Sequence, residues 1–129
     1  MRHVCGNCCK ADMVRATRDI VAQFGGSTAR VRAVLGWHCP ACADVEFLDA
    51  DGSNRFEAAL DKLAEDQRLW LARTRKRLKL TQAHAAELFG GGVNAFSRYE
   101  TGKTQPPLAL IKLLKVLDKH PELLAEVRT

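Results

Sequence analysis

Two Cys-x-x-Cys pairs, Cys5-Gly6-Asn7-Cys8 and Cys39-Pro40-Ala41-Cys42, constrain the fold of this chain more than any other feature. A Cys-x-x-Cys turn places two thiolates on one side of a metal, and two such turns complete a tetrahedral four-cysteine site. Residues 9–38 must then leave the first turn and come back to it. An antiparallel hairpin does this, and the segment carries its signals. MVRATRDIV and STARVRAVLGW are rich in alternating or β-branched residues, and FGGS at 24–27 supplies the turn between them. Cys5, Cys8, Cys39 and Cys42 are therefore the expected ligands of one structural zinc ion per chain. A β module of about fifty residues has too little core to fold alone, and bound metal supplies the missing free energy. Four thiolates leave no open coordination position, which argues against catalytic zinc. A thioredoxin-like redox pair needs a βαβ context that this segment lacks. Cys9, His3 and His38 lie beside the knuckles and read as bystanders.

The charge pattern divides the rest. Residues 1–43 are mildly basic, 44–66 (DVEFLDADGSNRFEAALDKLAED) are strongly acidic, and RLWLARTRKRLK at 68–79 is basic. The switch predicts a boundary near Glu65–Gln67, giving a zinc-binding domain over 1–66 and a second domain over 67–129. In the first domain VEFL reads as a further short strand and DADGS as a turn and helix cap. Phe56, Ala59, Leu60, Leu63 and Gln67 follow with helical spacing. The fold class expected is α+β: a small zinc-ribbon-like β domain with a helix, then an all-α five-helix domain. No stretch is long and apolar enough for a membrane span, and the N-terminus lacks the apolar region of a secretory signal. A cytoplasmic protein is expected.

The second domain reads as five helices. Trp70, Leu71, Thr74 and Leu78 form the stripe of the first. Thr81 caps the second, with Ala85, Leu88 and Phe89 inward. Phe96 and Tyr99 mark a third that ends at Gly102. Pro106 and Pro107 open a fourth, striped by Leu110, Ile111, Leu114 and Leu117, and Pro121 opens a short fifth. Three consecutive glycines, Gly90–Gly92, separate the second and third helices. Glycine permits the positive φ and close approach that a helix-turn-helix turn demands. On the third helix Phe96 and Tyr99 face the core, which leaves Asn94, Ser97 and Arg98 on other faces. Asparagine matches the adenine edge bidentately and arginine the guanine edge, so Asn94 and Arg98 are the expected base readers and Ser97 a phosphate contact. Thr81 and Gln82, at the start of the second helix, are placed to hold a phosphate. The basic run containing Arg75 and Arg77 is expected close to the DNA. The net charge of +5 agrees with a polyanionic partner. A two-fold protein reads a two-fold site, and the leucines of 106–127 exceed what one small core needs, which suggests a homodimer through this domain. No Ser/His/Asp or Cys/His constellation emerges, so no enzyme is expected.

LTQ…AAELFG…FSRYETG resembles the Xre/Cro-type helix-turn-helix. The longer run LTQAHAAELFGGGVNAFSRYETGKTQPP, followed by IKLLKVLDKHPELLAEVR, resembles the MqsA-type antitoxins nearly continuously over 78–128. Over 1–66 the likeness rests on the two cysteine pairs at the same separation and on the general layout. The resemblance implies zinc ligation by Cys5, Cys8, Cys39 and Cys42, and base reading by Asn94 and Arg98. It also implies an antitoxin of a type II toxin–antitoxin system. Its zinc domain would neutralise an MqsR-like mRNA-interferase toxin, and its second domain would dimerise and repress its own operon at a palindromic double-stranded operator. The alternative reading is a zinc-containing Xre-type repressor with no toxin partner. A redox or nucleic-acid-processing enzyme is the third, and predicts a reactive thiol pair.

Overall fold

A computed structural model describes residues 2–128. They form two compact units that divide between Leu63 and Ala64.

The first unit is a three-stranded antiparallel sheet in the order β1 (Val14–Phe24), β2 (Ser27–His38), β3 (Val45–Phe47). Gly25 and Gly26, at φ 53° and 83°, make the β1–β2 turn; two successive positive φ values match the right-handed twist of the strands they join. Pairing runs from Phe24↔Ser27 to Val14↔His38 and slips once, between Arg18↔Val34 and Ile20↔Val31. Asp19 there faces two residues, Arg32 and Ala33, in a β-bulge. The bulge has a packing reason. Val31 and Val34 are an odd number of residues apart and would point to opposite faces of a regular strand. The extra residue turns both inward, and both are buried. Side chains satisfy the groups it frees: Ala33 N–H donates to Asp19 Oδ1 at 2.9 Å, and the Arg55 guanidinium donates to the carbonyls of Arg32 and Ala33.

Helix α1 (Ala50–Arg77) follows. Asp49 caps it, its Oδ1 accepting from Gly52 N–H at 2.8 Å. Phe56, Ala59, Leu60 and Leu63 pack on the sheet residues Ala22, Val31 and Val34. Two helices meeting near residues 66–67 are expected from the sequence, but the chain forms one. Ala64, Glu65, Gln67 and Arg68 are good helix formers, and no glycine or proline interrupts them. The charge switch also gives this one helix its polarity. Asp51 lies in its first turn and Arg75, Lys76 and Arg77 in its last, each opposing the helix dipole.

The second unit contains the C-terminal part of α1, then α2 (Gln82–Phe89), α3 (Ala95–Thr101), α4 (Leu108–Lys119), a 3-10 turn (Pro121–Leu123) and the single-turn α5 (Leu124–Val127). The expected five separate helices are thus corrected at both ends. The first is a continuation of α1, and the last is entered through a 3-10 turn. Leu71, Leu78, Leu80, Ala85, Ala86, Phe96, Ile111, Leu114 and Leu117 form its core. Phe96 lies between Phe89 and Tyr99, with ring centroids 6.1 and 5.5 Å away. Helices α1 and α3 end alike. Leu80 N–H reaches Arg75 O and Lys79 N–H reaches Lys76 O; Lys103 N–H reaches Arg98 O and Gly102 N–H reaches Tyr99 O. Each is the paired closure around a left-handed residue, Lys79 at φ 60° and Gly102 at φ 81°.

Thr74 is fully buried in this unit, and among the described residues its hydroxyl has no partner. Thr74→Val removes a desolvated hydroxyl at nearly constant shape. It should raise the unfolding free energy by roughly 1 kcal/mol, read as a higher midpoint in chemical denaturation at unchanged slope. A lower midpoint would mean that the hydroxyl is bonded.

Candidate metal centre and nucleic-acid interface

The two cysteine turns lie side by side at one end of the sheet. Residues 4–12 form a small loop closed by the Val4↔Asp12 bridge, and Met13 N–H donates to His3 O at 2.7 Å. The second turn follows β2 directly, with Cys39 N–H donating to Asp44 O at 2.9 Å. The residue after the second cysteine of each pair, Cys9 and Ala43, is left-handed at φ 58° and 63°. Both turns thus use the same backbone device.

The geometry suits a metal. Cys5 Sγ is 3.6 Å from Cys42 Sγ and Cys8 Sγ is 3.7 Å from Cys39 Sγ. All four sulfurs lie within 4.8 Å of one another. Zinc bound tetrahedrally at about 2.3 Å requires sulfur–sulfur separations of about 3.8 Å, close to these values. Cys5 and Cys39 are buried, whereas Cys8 and Cys42 are half-exposed. Met13, Ala11 and Trp37 pack around them.

Electrostatics point the same way. The Asn7 amide, 3.5 Å from Cys42 Sγ, is the main cause holding that thiol down at about 6, and a backbone N–H donor at Asp44 adds to it. At Cys8 the Lys10 backbone N–H lowers the pKa, but burial and the Cys39, Cys42 and Cys5 thiols outweigh it and push Cys8 up to about 11. The Cys42 thiolate forms readily, and Cys8 beside it resists a second negative charge. A divalent cation supplies the charge that lets all four ionise. Asn7 was not singled out from the sequence. Its only signal is its place inside the first Cys-x-x-Cys turn.

The neighbouring bystanders have other partners. Cys9 is exposed and outside the cluster. His3 stacks on Trp37 at 4.3 Å, and its Nε2 lies 2.8 Å from Glu46 Oε2. His38 is buried, its Nε2–H donating to Val34 O at 3.0 Å.

The expected DNA-contact residues separate into two groups. Asn94 and Arg98 are both exposed, one helical turn apart, with Arg98 N–H donating to Asn94 O at 3.1 Å. Asn94 occupies the N-cap position of α3 but its side chain makes no capping bond. Among the described residues neither side chain has a hydrogen-bond or ion-pair partner. Ser97 is half-buried beside Arg98, and Gln82 is half-buried at the start of α2. Thr81 Oγ1 accepts from His84 N–H at 3.1 Å, so its hydroxyl serves the helix.

Arg75, expected close to the DNA, has partners within the chain. Its Nε and Nη2 hold both oxygens of Glu100 at 2.8 and 2.9 Å, and Nη1 donates to Leu80 O at 2.8 Å. The two side chains are 11% and 9% exposed. Arg75 joins α1 to α3, spending three of its five N–H donors and its charge on the fold. Arg77 pairs with Asp118 at 2.7 Å but keeps 60% of its side chain exposed.

The glycine turn fixes α2 against α3. Gly90, Gly91 and Gly92 all have positive φ, at 86°, 96° and 92°. Gly90 combines that φ with ψ −174°, a region closed to other residues. A Cβ on Gly91 would lie 2.9 Å from Ala95 Cβ and 3.1 Å from Tyr99 Oη.

With this geometry established, comparison places the chain. The family described as the antitoxin component of bacterial toxin–antitoxin systems, MqsA, matches residues 1–128. Antitoxin MqsA of Escherichia coli (strain K12) is 40% identical over 130 residues, covering 96% of this chain and 98% of that protein. The residue-level reading and the sequence relationship agree: this chain belongs to the MqsA family of antitoxins.

Proposed function

We propose that this antitoxin acts through two separable surfaces. The cysteine unit, over 1–66, holds one structural zinc ion per chain and neutralises an mRNA-interferase toxin of the MqsR type. The helical unit, over 67–129, dimerises and represses the operon at a palindromic operator. Four sulfurs at near-tetrahedral spacing support the first assignment. Zinc there orders the fold that carries the toxin-binding strands.

The observation that carries the second is the pair Asn94 and Arg98. Both are exposed, unpartnered among the described residues, and one turn apart at a helix that a glycine turn joins to α2. Free asparagine and arginine side chains in that arrangement can each meet a base edge with two hydrogen bonds. Arg77, Gln82 and Thr81 serve phosphates in this reading, Gln82 and Thr81 from the start of α2.

Arg98→Ala should weaken binding to the operon's own promoter by about 1–3 kcal/mol and relax preference at one base position per half-site. Random DNA should be affected far less. Electrophoretic or fluorescence titration on both DNAs decides it. An equal loss on both would reduce Arg98 to a phosphate contact.

A further inference from the structure

Val93 has no structural employment. It is 72% exposed, the most exposed of the large hydrophobic residues described. Single apolar residues are common on protein surfaces, so exposure alone assigns nothing. Its position does. An apolar residue just before a helix cap usually packs on the fourth helical residue. Here that residue is Arg98, charged and exposed, so the packing partner is missing. Core contacts are absent as well, since Val93 belongs to none of the buried clusters.

The turn nonetheless fixes its place. Ala95 N–H donates to Gly92 O at 3.0 Å, making Val93 and Asn94 the two corner residues of one hydrogen-bonded turn. Gly91 packs against Ala95 and Tyr99 so closely that a Cβ there would lie 2.9 Å from Ala95 Cβ. A β-branched side chain has few rotamers to lose on contact. The result is a stiff pair of methyl groups next to the Asn94 amide, on the surface proposed to read base edges.

The major groove offers one apolar feature, the thymine C5-methyl group. We propose that Val93 is a third base-reading residue, contacting a thymine methyl beside the base read by Asn94. This rests on the DNA-binding reading above and adds a specificity to it.

The test replaces thymines of the promoter half-sites one at a time by deoxyuridine, which lacks only the methyl group. With the full-length wild-type protein, one position per half-site should lose about fourfold in affinity, the transfer free energy of a single methyl group. Val93→Ser should be weaker on normal DNA and indifferent to uracil at that position. Val93→Thr, which keeps one methyl group, should recover the sensitivity. All three should give the same circular dichroism spectrum. Specific promoter binding that tolerates uracil everywhere, or equal sensitivity in Val93→Ser, overturns the Val93 assignment alone. A wild type that binds promoter no tighter than random DNA overturns the DNA-binding reading and this inference with it.

Discussion

Cys39→Ser is expected to abolish metal binding and unfold the sheet unit. Cys39 is buried, with its sulfur 3.7 Å from Cys8 Sγ. A serine hydroxyl at that site cannot serve as the fourth thiolate. Structural zinc in small modules contributes apparent free energies of about 10–16 kcal/mol near neutral pH, more than the few kcal/mol by which a small domain is stable. Among the described residues, the apolar support around the cysteines is Met13, Ala11 and Trp37, which does not replace it. Metal analysis should therefore give one zinc per wild-type chain and almost none in the variant. Proteolysis should begin within residues 2–48 of the variant, and a strong chelator should reproduce this in the wild type. A metal-free protein whose sheet unit resists protease as the loaded one does would refute a structural role for the metal.

The second large effect is expected at Glu100. Replacing it by alanine leaves the Arg75 guanidinium with one backbone acceptor and no counter-charge at 11% exposure. Breaking a buried pair from one side costs about 3–5 kcal/mol, a large part of the stability of a unit this size. Chemical denaturation should show the helical unit shifted accordingly. The double variant Arg75→Met/Glu100→Leu should recover much of the loss, because neither charge is then stranded. This also separates the structural role of Arg75 from the one its place in a basic run suggests. A phosphate ligand at Arg75 would instead leave stability intact in Glu100→Ala and reduce the salt dependence of DNA binding by about one ion when mutated.

Arg75 illustrates what the sequence conceals. In RLWLARTRKRLK it is one basic residue among several, and its partner Glu100 lies 25 residues further on, with nothing local to join them. The same applies to the bulge opposite Asp19. Its need follows from Val31 and Val34 both being core residues, which is known only when the sheet's buried face is known. The continuous α1 was misread for a different reason: the stripe ending at Gln67 and the stripe starting at Trp70 were taken as two helices, whereas a helix with an acidic start and a basic end has the polarity its dipole favours. What was legible rests on short-range chemistry. Gly25-Gly26 sets a hairpin turn, Thr81 caps α2, Gly102 closes α3, and the spacing of the leucines marks the buried face of α4. The four cysteines were legible because metal ligation demands their residue type and pairing, and the fold brings all four together. Asn94 and Arg98 were singled out by their spacing of one helical turn. That both lack partners is information only the structure supplies.

The most direct measurement is growth of cells expressing the small open reading frame adjacent to this protein's gene, with and without the protein itself. The proposed function predicts arrest by the toxin alone, relief on coexpression of the wild-type chain, and relief preserved by Arg98→Ala but lost by Cys39→Ser. Arrest that the wild-type chain does not relieve would contradict toxin neutralisation and assign the sheet unit another purpose.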